Sequence, residues 1–146
     1  MKSIDLDRVR DMVIKANFVY IVGNGGSAST ANHFANDLVK MCGIRAVSLC
    51  SNEAIVTAFA NDNGYENIFV EQLKVFLAKD DLLITISGSG TSKNIVKALE
   101  YAKKVDSAIV SFPTMFDGCT MQEIEDLHLA IGHKLATKIQ YILRDE

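Results

Sequence analysis

His33 and Asp37 stand four residues apart in a stretch where Ala31, Phe34 and Leu38 recur at helical spacing, so the two polar groups share one helix face. A second polar group lies near the end of the chain, where Glu125, Asp126, His128 and His133 interrupt Leu127, Leu129, Ala130 and Ile131. Glu125 and His133 are two turns apart and about 80° apart in azimuth, which predicts that both reach one site; His128 falls about 60° to the other side of Glu125. Two imidazoles and two carboxylates at His33, Asp37, Glu125 and His133 form a chemically sound set for a divalent metal, with zinc first for this mix of nitrogen and oxygen donors. The same groups could instead serve as general acids and bases. A histidine standing alone on a helix is ordinarily a packed or solvated side chain.

Two glycine-serine loops are the elements that would set these groups against a substrate. The apolar, β-branched run Phe18–Val22 reads as a buried strand, and Gly23-Asn24-Gly25-Gly26-Ser27 follows it directly. Glycines let the backbone turn sharply, and the helix that Ser27 opens offers free N–H groups and a positive dipole end to an anion. A second strand-like run, Leu82–Ile86, leads into Ser87-Gly88-Ser89-Gly90-Thr91-Ser92, whose hydroxyls can donate to anionic oxygens. Both loops follow strand ends, where open α/β sheets bind ligands. Glycine and serine also fill tight turns with no ligand at all, but two such loops in register with strand ends favour an anion site. A dinucleotide site would want an acidic residue at the tip of the second strand, and here that strand runs into Cys50-Ser51-Asn52. No Walker lysine follows the glycines. The loops therefore suit a sugar phosphate better than a nucleotide.

Strand and helix signals alternate along the chain. Leu6, Val9, Met12, Val13 and Ala16 predict an opening amphipathic helix, and Ser27–Met41 a second that stops near Gly43. Arg45–Cys50 reads as a strand, Asn52 as the N-cap of a short helix through Phe59, and Asn61-Asp62-Asn63-Gly64 as a loop. Ile68, Leu73, Val75 and Phe76 suggest a further helix. Ile95–Val105 is helical, Ala108–Phe112 a strand and Met121–Leu143 a long last helix. This alternation predicts an α/β protein, a three-layer αβα sandwich on a mostly parallel sheet.

A chain of 146 residues fits one domain over 1–146. The net charge of −3 argues against a broad nucleic-acid surface. No apolar run approaches the roughly 18 residues of a membrane span, and no secretory signal is visible in the mixed charges of residues 1–11. Cys42, Cys50 and Cys119 lack metal-site spacing and read as reduced thiols of a cytoplasmic protein.

Taken together, several motifs resemble the phosphoheptose isomerases (sedoheptulose 7-phosphate isomerases) of the SIS, or sugar isomerase, fold. They are Gly23-Asn24-Gly25-Gly26-Ser27, His33-Phe34-Ala35, Ala60-Asn61-Asp62-x-Gly64, Ile86-Ser87-x-Ser89-Gly90-x-Ser92 and His128-x4-His133. The resemblance implies a flavodoxin-like SIS domain that converts sedoheptulose 7-phosphate to D-glycero-D-manno-heptose 7-phosphate through an enediol, for lipopolysaccharide or capsule heptose. It implies that Asn24, Gly25, Ser27, Ser87, Gly88, Ser89 and Ser92 hold the substrate phosphate, that Asp62 lies near the sugar hydroxyls, and that Glu125 contacts substrate. His33, Asp37, Glu125 and His133 would hold zinc, with Asp37 as the base and His133 as the second proton carrier. A homotetramer with shared active sites is implied as well. Four features depart from the family pattern: Asp37 for the usual Glu, Glu125 for Gln, Gly88 for Thr, and Met41 where Arg is common. Between Phe112 and Thr120 the family carries a further loop, helix and strand. A non-catalytic SIS regulator that binds a sugar phosphate or a protein partner is the alternative reading.

Overall fold

Val19–Gly23 (β1) and Leu82–Ile86 (β3) are buried at every position, which requires cover on both faces of the sheet they share. The computed structural model describes residues 4–144; residues 1–3 and 145–146 lie outside it. Ala46–Ser48 (β2) and Ala108–Ser111 (β4) complete a four-stranded sheet in the order β2-β1-β3-β4, parallel throughout. The register pairs Ile21 with Ser48 and with Ile84, and Ile84 with Val110. The α/β expectation holds in this all-parallel form.

Six helices cover the sheet among the described residues: α1 (Leu6–Lys15), α2 (Gly26–Cys42), α3 (Glu53–Asn63), α4 (Val70–Phe76), α5 (Lys93–Lys104) and α6 (Met121–Arg144). Alternate strand residues divide the core. Val19, Ile21, Leu82, Ile84 and Ile86 pack with Val9 and Val13 of α1, Phe34 and Leu38 of α2, and Leu135 and Ile139 of α6. Tyr20, Val22 and Leu83 face the other way, against Leu73 of α4 and Ile95, Ala98 and Ala102 of α5. The period-2 alternation of strands thus meets the helical stripes on both sides. No helix among the described residues is long and apolar enough to cross a membrane.

Several boundaries differ from the sequence reading. Asn61, Asp62 and Asn63 are not loop but the last turn of α3, which ends at Gly64 with φ +89°. The Asn52 side chain accepts the Ile55 N–H at 3.1 Å and caps the start, so the helix propagates through polar residues that carry no apolar stripe. The predicted strand Arg45–Cys50 shrinks to three residues because Ser48–Ser51 closes a turn, with Ser51 N–H on Ser48 O at 3.2 Å. Between β4 and α6 the chain forms no further helix or strand. It crosses in residues 112–120 through a turn at Asp117-Gly118, and β4 is left at the edge of the sheet.

Candidate functional site: an anion cavity and a His/Asp/His group

β1 sends the chain outward to β2, and β3 sends it outward to β4, so the gap between these two central strands is the topological switch point of the sheet. Both glycine-serine loops open there. They line a cavity of about 250 Å³ with Asn24, Gly25, Gly26 and Ser27 on one side and Ser87, Gly88, Ser89 and Ser92 on the other. Met121 and Glu125 close it from the first turns of α6. The loops are held by their own polar atoms: Ser87 Oγ accepts the Gly90 N–H at 3.0 Å and Ser89 Oγ the Thr91 N–H at 3.2 Å. Asn24 and Asn94 exchange a reciprocal amide pair at 2.9 and 2.8 Å, and the Tyr65 hydroxyl donates to Asn24 Oδ1 at 3.0 Å. Those bonds tie the first loop to the start of α5.

Gly25 reaches α2 with φ +55°, a conformation costly for other residues. At Gly26 the reason is space, since a Cβ there would lie 2.5 Å from both carboxylate oxygens of Glu125. Glu125 therefore rests against the N-terminal end of α2, where the helix dipole favours negative charge.

α2 and α6 are packed side by side, and further along them lies the second polar group. His33 Nε2 and His133 Nε2 are 3.0 Å apart, and Asp37 Oδ2 lies 3.5 Å from the first and 3.9 Å from the second. The centre of this triangle lies about 2.0 Å from all three atoms, the bond length of a first-row divalent metal to imidazole or carboxylate. The imidazoles are half exposed, while the Asp37 carboxyl is 9% exposed and also accepts the Asn36 side-chain N–H at 3.2 Å. Three protein donors with open faces toward solvent leave coordination positions for a small ligand, the pattern of catalytic rather than structural metal sites.

His128 lies between these two features in sequence but belongs to neither. It is completely buried, its ring meets Phe112 edge-on, and its Nε2 lies 2.6 Å from the Pro113 carbonyl oxygen. That contact makes Nε2 the donor. Burial pushes the imidazole below its ordinary range, against the opposing pull of the Pro113 bond and of Glu125. Burial likewise raises the thiols of Cys42 and Cys50, which keeps them in the unreactive form.

A family model described as the SIS domain matches residues 7–113. The chain belongs to the SIS-domain family. This SIS domain is 40% identical over 127 residues to a phosphoheptose isomerase of Helicobacter pylori, a match that covers 84% of this chain and 66% of the relative. It therefore spans slightly less than two thirds of that relative's length. A phosphoheptose isomerase 2 of Campylobacter jejuni is 35% identical over 152 positions, covering 88% of this chain and 75% of its own. That alignment is longer than the chain itself, so the relative carries additional residues within the matched span. The solved phosphoheptose isomerase of Neisseria gonorrhoeae superposes with a TM-score of 0.82 at 26% identity, over 93% of this chain and 83% of its own.

Of the residues singled out in the sequence, this SIS domain gathers Asn24, Gly25, Ser27, Ser87, Gly88, Ser89, Ser92 and Glu125 around the cavity, and His33, Asp37 and His133 into the second group. Glu125 does not join His133. The two lie within about 80° of each other around the helix, but eight residues also separate them by about 12 Å along α6. Asp62 lines neither feature; it is exposed on the last turn of α3 and accepts the Asn61 side-chain N–H at 2.9 Å. Sequence reasoning overlooked Met121, Asn94 and Tyr65. Asn94 and Met121 stand just inside helices that follow the second loop and the 112–120 segment, and that position is the signal that could have found them.

Proposed function

We propose that this SIS domain is a phosphoheptose isomerase, which interconverts sedoheptulose 7-phosphate and D-glycero-D-manno-heptose 7-phosphate through an enediol. The observation that carries the reading is that one pair of helices bears both a hydroxyl-lined anion cavity and a His/Asp/His group. Ser27 and His33 are six residues apart on α2, about 9 Å of rise. An extended seven-carbon sugar phosphate has a similar reach, at roughly 1.25 Å of advance per single bond. The relatives named phosphoheptose isomerase support the same substrate class.

In this reading Ser27, Ser87, Ser89 and Ser92 hold the phosphate, and the fixed loops aim the other end of the sugar along α2. Asp37 takes the proton from the carbon beside the carbonyl. His133 moves the proton between the two oxygens. The donor triangle fits zinc, held by His33, Asp37 and His133. When bound, such an ion polarises a carbonyl and steadies negative charge on the neighbouring oxygens. Glu125 meets the substrate at the cavity rather than at this centre. A cytoplasmic homotetramer that completes each site from neighbouring chains belongs to the same reading.

A coupled assay with sedoheptulose 7-phosphate and added zinc decides the matter, run beside an active relative. Turnover is the expected result, with other ketose phosphates slower. No turnover of any ketose phosphate, with the control active, refutes the enzyme and leaves a binding protein.

A further inference from the structure

The segment between β4 and α6 contributes to the anion cavity without lining it. Phe112 N–H still donates to Thr85 O at 2.9 Å, as a continuation of the sheet. Three residues on, Met115 N–H donates to Gly88 O at 2.8 Å, so the segment grips the backbone of the second loop. It is also packed close there, since a Cβ on Gly90 would come within 2.8 Å of Thr114 Cγ2. Beside the buried Phe112, a side-chain bond anchors the segment, the 2.6 Å bond from His128 Nε2 to Pro113 O.

This grip has a consequence on the other side of the peptide. Every peptide bond among the described residues is trans, so the Gly88 carbonyl and the Ser89 N–H point in opposite directions. With the carbonyl turned to Met115, the Ser89 N–H is turned away from the segment, and Gly88 and Ser89 both line the cavity. That N–H makes no hydrogen bond among the described residues. We infer that His128 is a positioning residue for anion binding: by fixing Pro113 it holds Met115 on Gly88, and so presents the Ser89 N–H to an oxyanion.

The ring's own circumstances suit that task. His128 Nδ1 is buried without a hydrogen-bond partner, a loss that a purely space-filling residue would not incur. Nε2 alone does the work, so a side chain that keeps a donor at that distance should suffice. Glutamine does so; leucine fills the space with no donor.

The inference rests on the reading of the cavity as a phosphate site, and the experiment separates the two. Inorganic phosphate is titrated into the whole protein by calorimetry, and KM and kcat are measured on sedoheptulose 7-phosphate. His128→Leu should raise the phosphate Kd and the KM about tenfold while kcat stays within about twofold, the signature of lost ground-state binding. His128→Gln should stay within about threefold of wild type in both. Met115→Pro deletes the gripping N–H from the exposed segment and leaves the buried ring alone; it should reproduce the leucine result, and it serves if His128→Leu does not fold. Wild-type Kd and KM in His128→Leu, or in Met115→Pro when the leucine variant is unfolded, overturn the inference and leave the phosphate reading intact. So does a fall in kcat at constant KM. A wild-type protein that neither binds phosphate nor turns over the sugar overturns the phosphate reading, and the inference with it.

Discussion

Glu125→Gln should tighten phosphate binding. The Glu125 carboxylate lines the same cavity of about 250 Å³ as the loop hydroxyls, and it rests where a Cβ of Gly26 would be, at the N-terminus of α2. A sphere of that volume has a radius of about 4 Å, so with atomic radii added a phosphate at its centre lies roughly 6 Å from the carboxylate. Two charges on a phosphate dianion against one on the carboxylate then repel by about 1.4 kcal/mol in a water-like medium. Replacing the acid by its amide removes that repulsion and keeps the side chain's shape, so Kd for inorganic phosphate should fall about tenfold. The gain should shrink as ionic strength rises, because salt screens exposed charges beyond about 10 Å at 0.1 M and more closely above it. Stability should move the other way by roughly 0.3–1 kcal/mol, because a negative charge leaves the helix N-terminus. Calorimetric titration at two salt concentrations reads the affinity, and thermal denaturation reads the stability. Unchanged or weaker phosphate binding in the glutamine variant refutes the argument, because it places the anion outside the field of Glu125.

Three further outcomes follow from the same geometry. Asp37→Asn and His133→Ala should each lower the zinc content measured after dialysis and reduce turnover by about 100-fold or more, with the fold retained because His133 is half exposed and asparagine keeps the shape of the buried Asp37; near wild-type rates remove that residue from the mechanism. Gly88→Thr, which restores the residue usual in the resembling family, should cost about 1–2 kcal/mol because the new Cβ meets Met121 Sδ at 2.8 Å and Ile124 Cγ2 at 3.2 Å; Met121→Ala should recover part of that in a double-mutant cycle, and strict additivity contradicts the contact. His128 binds its proton less readily in the folded state than in the unfolded chain, so its contribution to stability is complete above the ordinary histidine range and is lost as pH falls below it; denaturant melts should show this acid sensitivity blunted in His128→Gln, and an identical pH profile in both proteins refutes it.

The strands and loops were legible because their signals are local. A β-branched run ending in glycines marks β1 and its loop wherever the rest of the chain goes, and the same holds for Leu82–Ile86 and Ser87-Gly88-Ser89-Gly90. Helical spacing put His33 beside Asp37 for the same reason. What spacing could not supply was distance across the fold: it put Glu125 and His133 within about 80° of each other around α6, while their separation along α6 sends one to the anion cavity and the other to His33. Asn61–Asn63 misled because polar composition resembles a loop, although an N-capped helix continues until a residue such as Gly64 turns the backbone to positive φ. The bond from His128 to Pro113 joins residues with no common local pattern. One local signal was present and unread: Thr120-x-x-Glu123 forms a reciprocal capping box, with Thr120 N–H on Glu123 Oε2 at 2.8 Å and Glu123 N–H on Thr120 Oγ1 at 3.3 Å.

That capping box explains why the departures from the family pattern belong together. The resemblance implies a further loop, helix and strand after Phe112, and here the chain instead crosses to α6 within residues 112–120. A short crossing fixes where α6 begins, and the Thr120/Glu123 box starts it at the mouth of the cavity. Its first two turns then bring Met121 against Gly88 and Glu125 against Gly26. The space Met121 takes is the space a threonine at 88 would need, so the short crossing and the glycine are compatible with each other. The same crossing supplies Met115 N–H to the Gly88 carbonyl, a backbone bond that holds the loop. A threonine at 88 meets Met121 and Ile124 unchanged, which is why Gly88→Thr alone should harm the protein and the pair with Met121→Ala should harm it less.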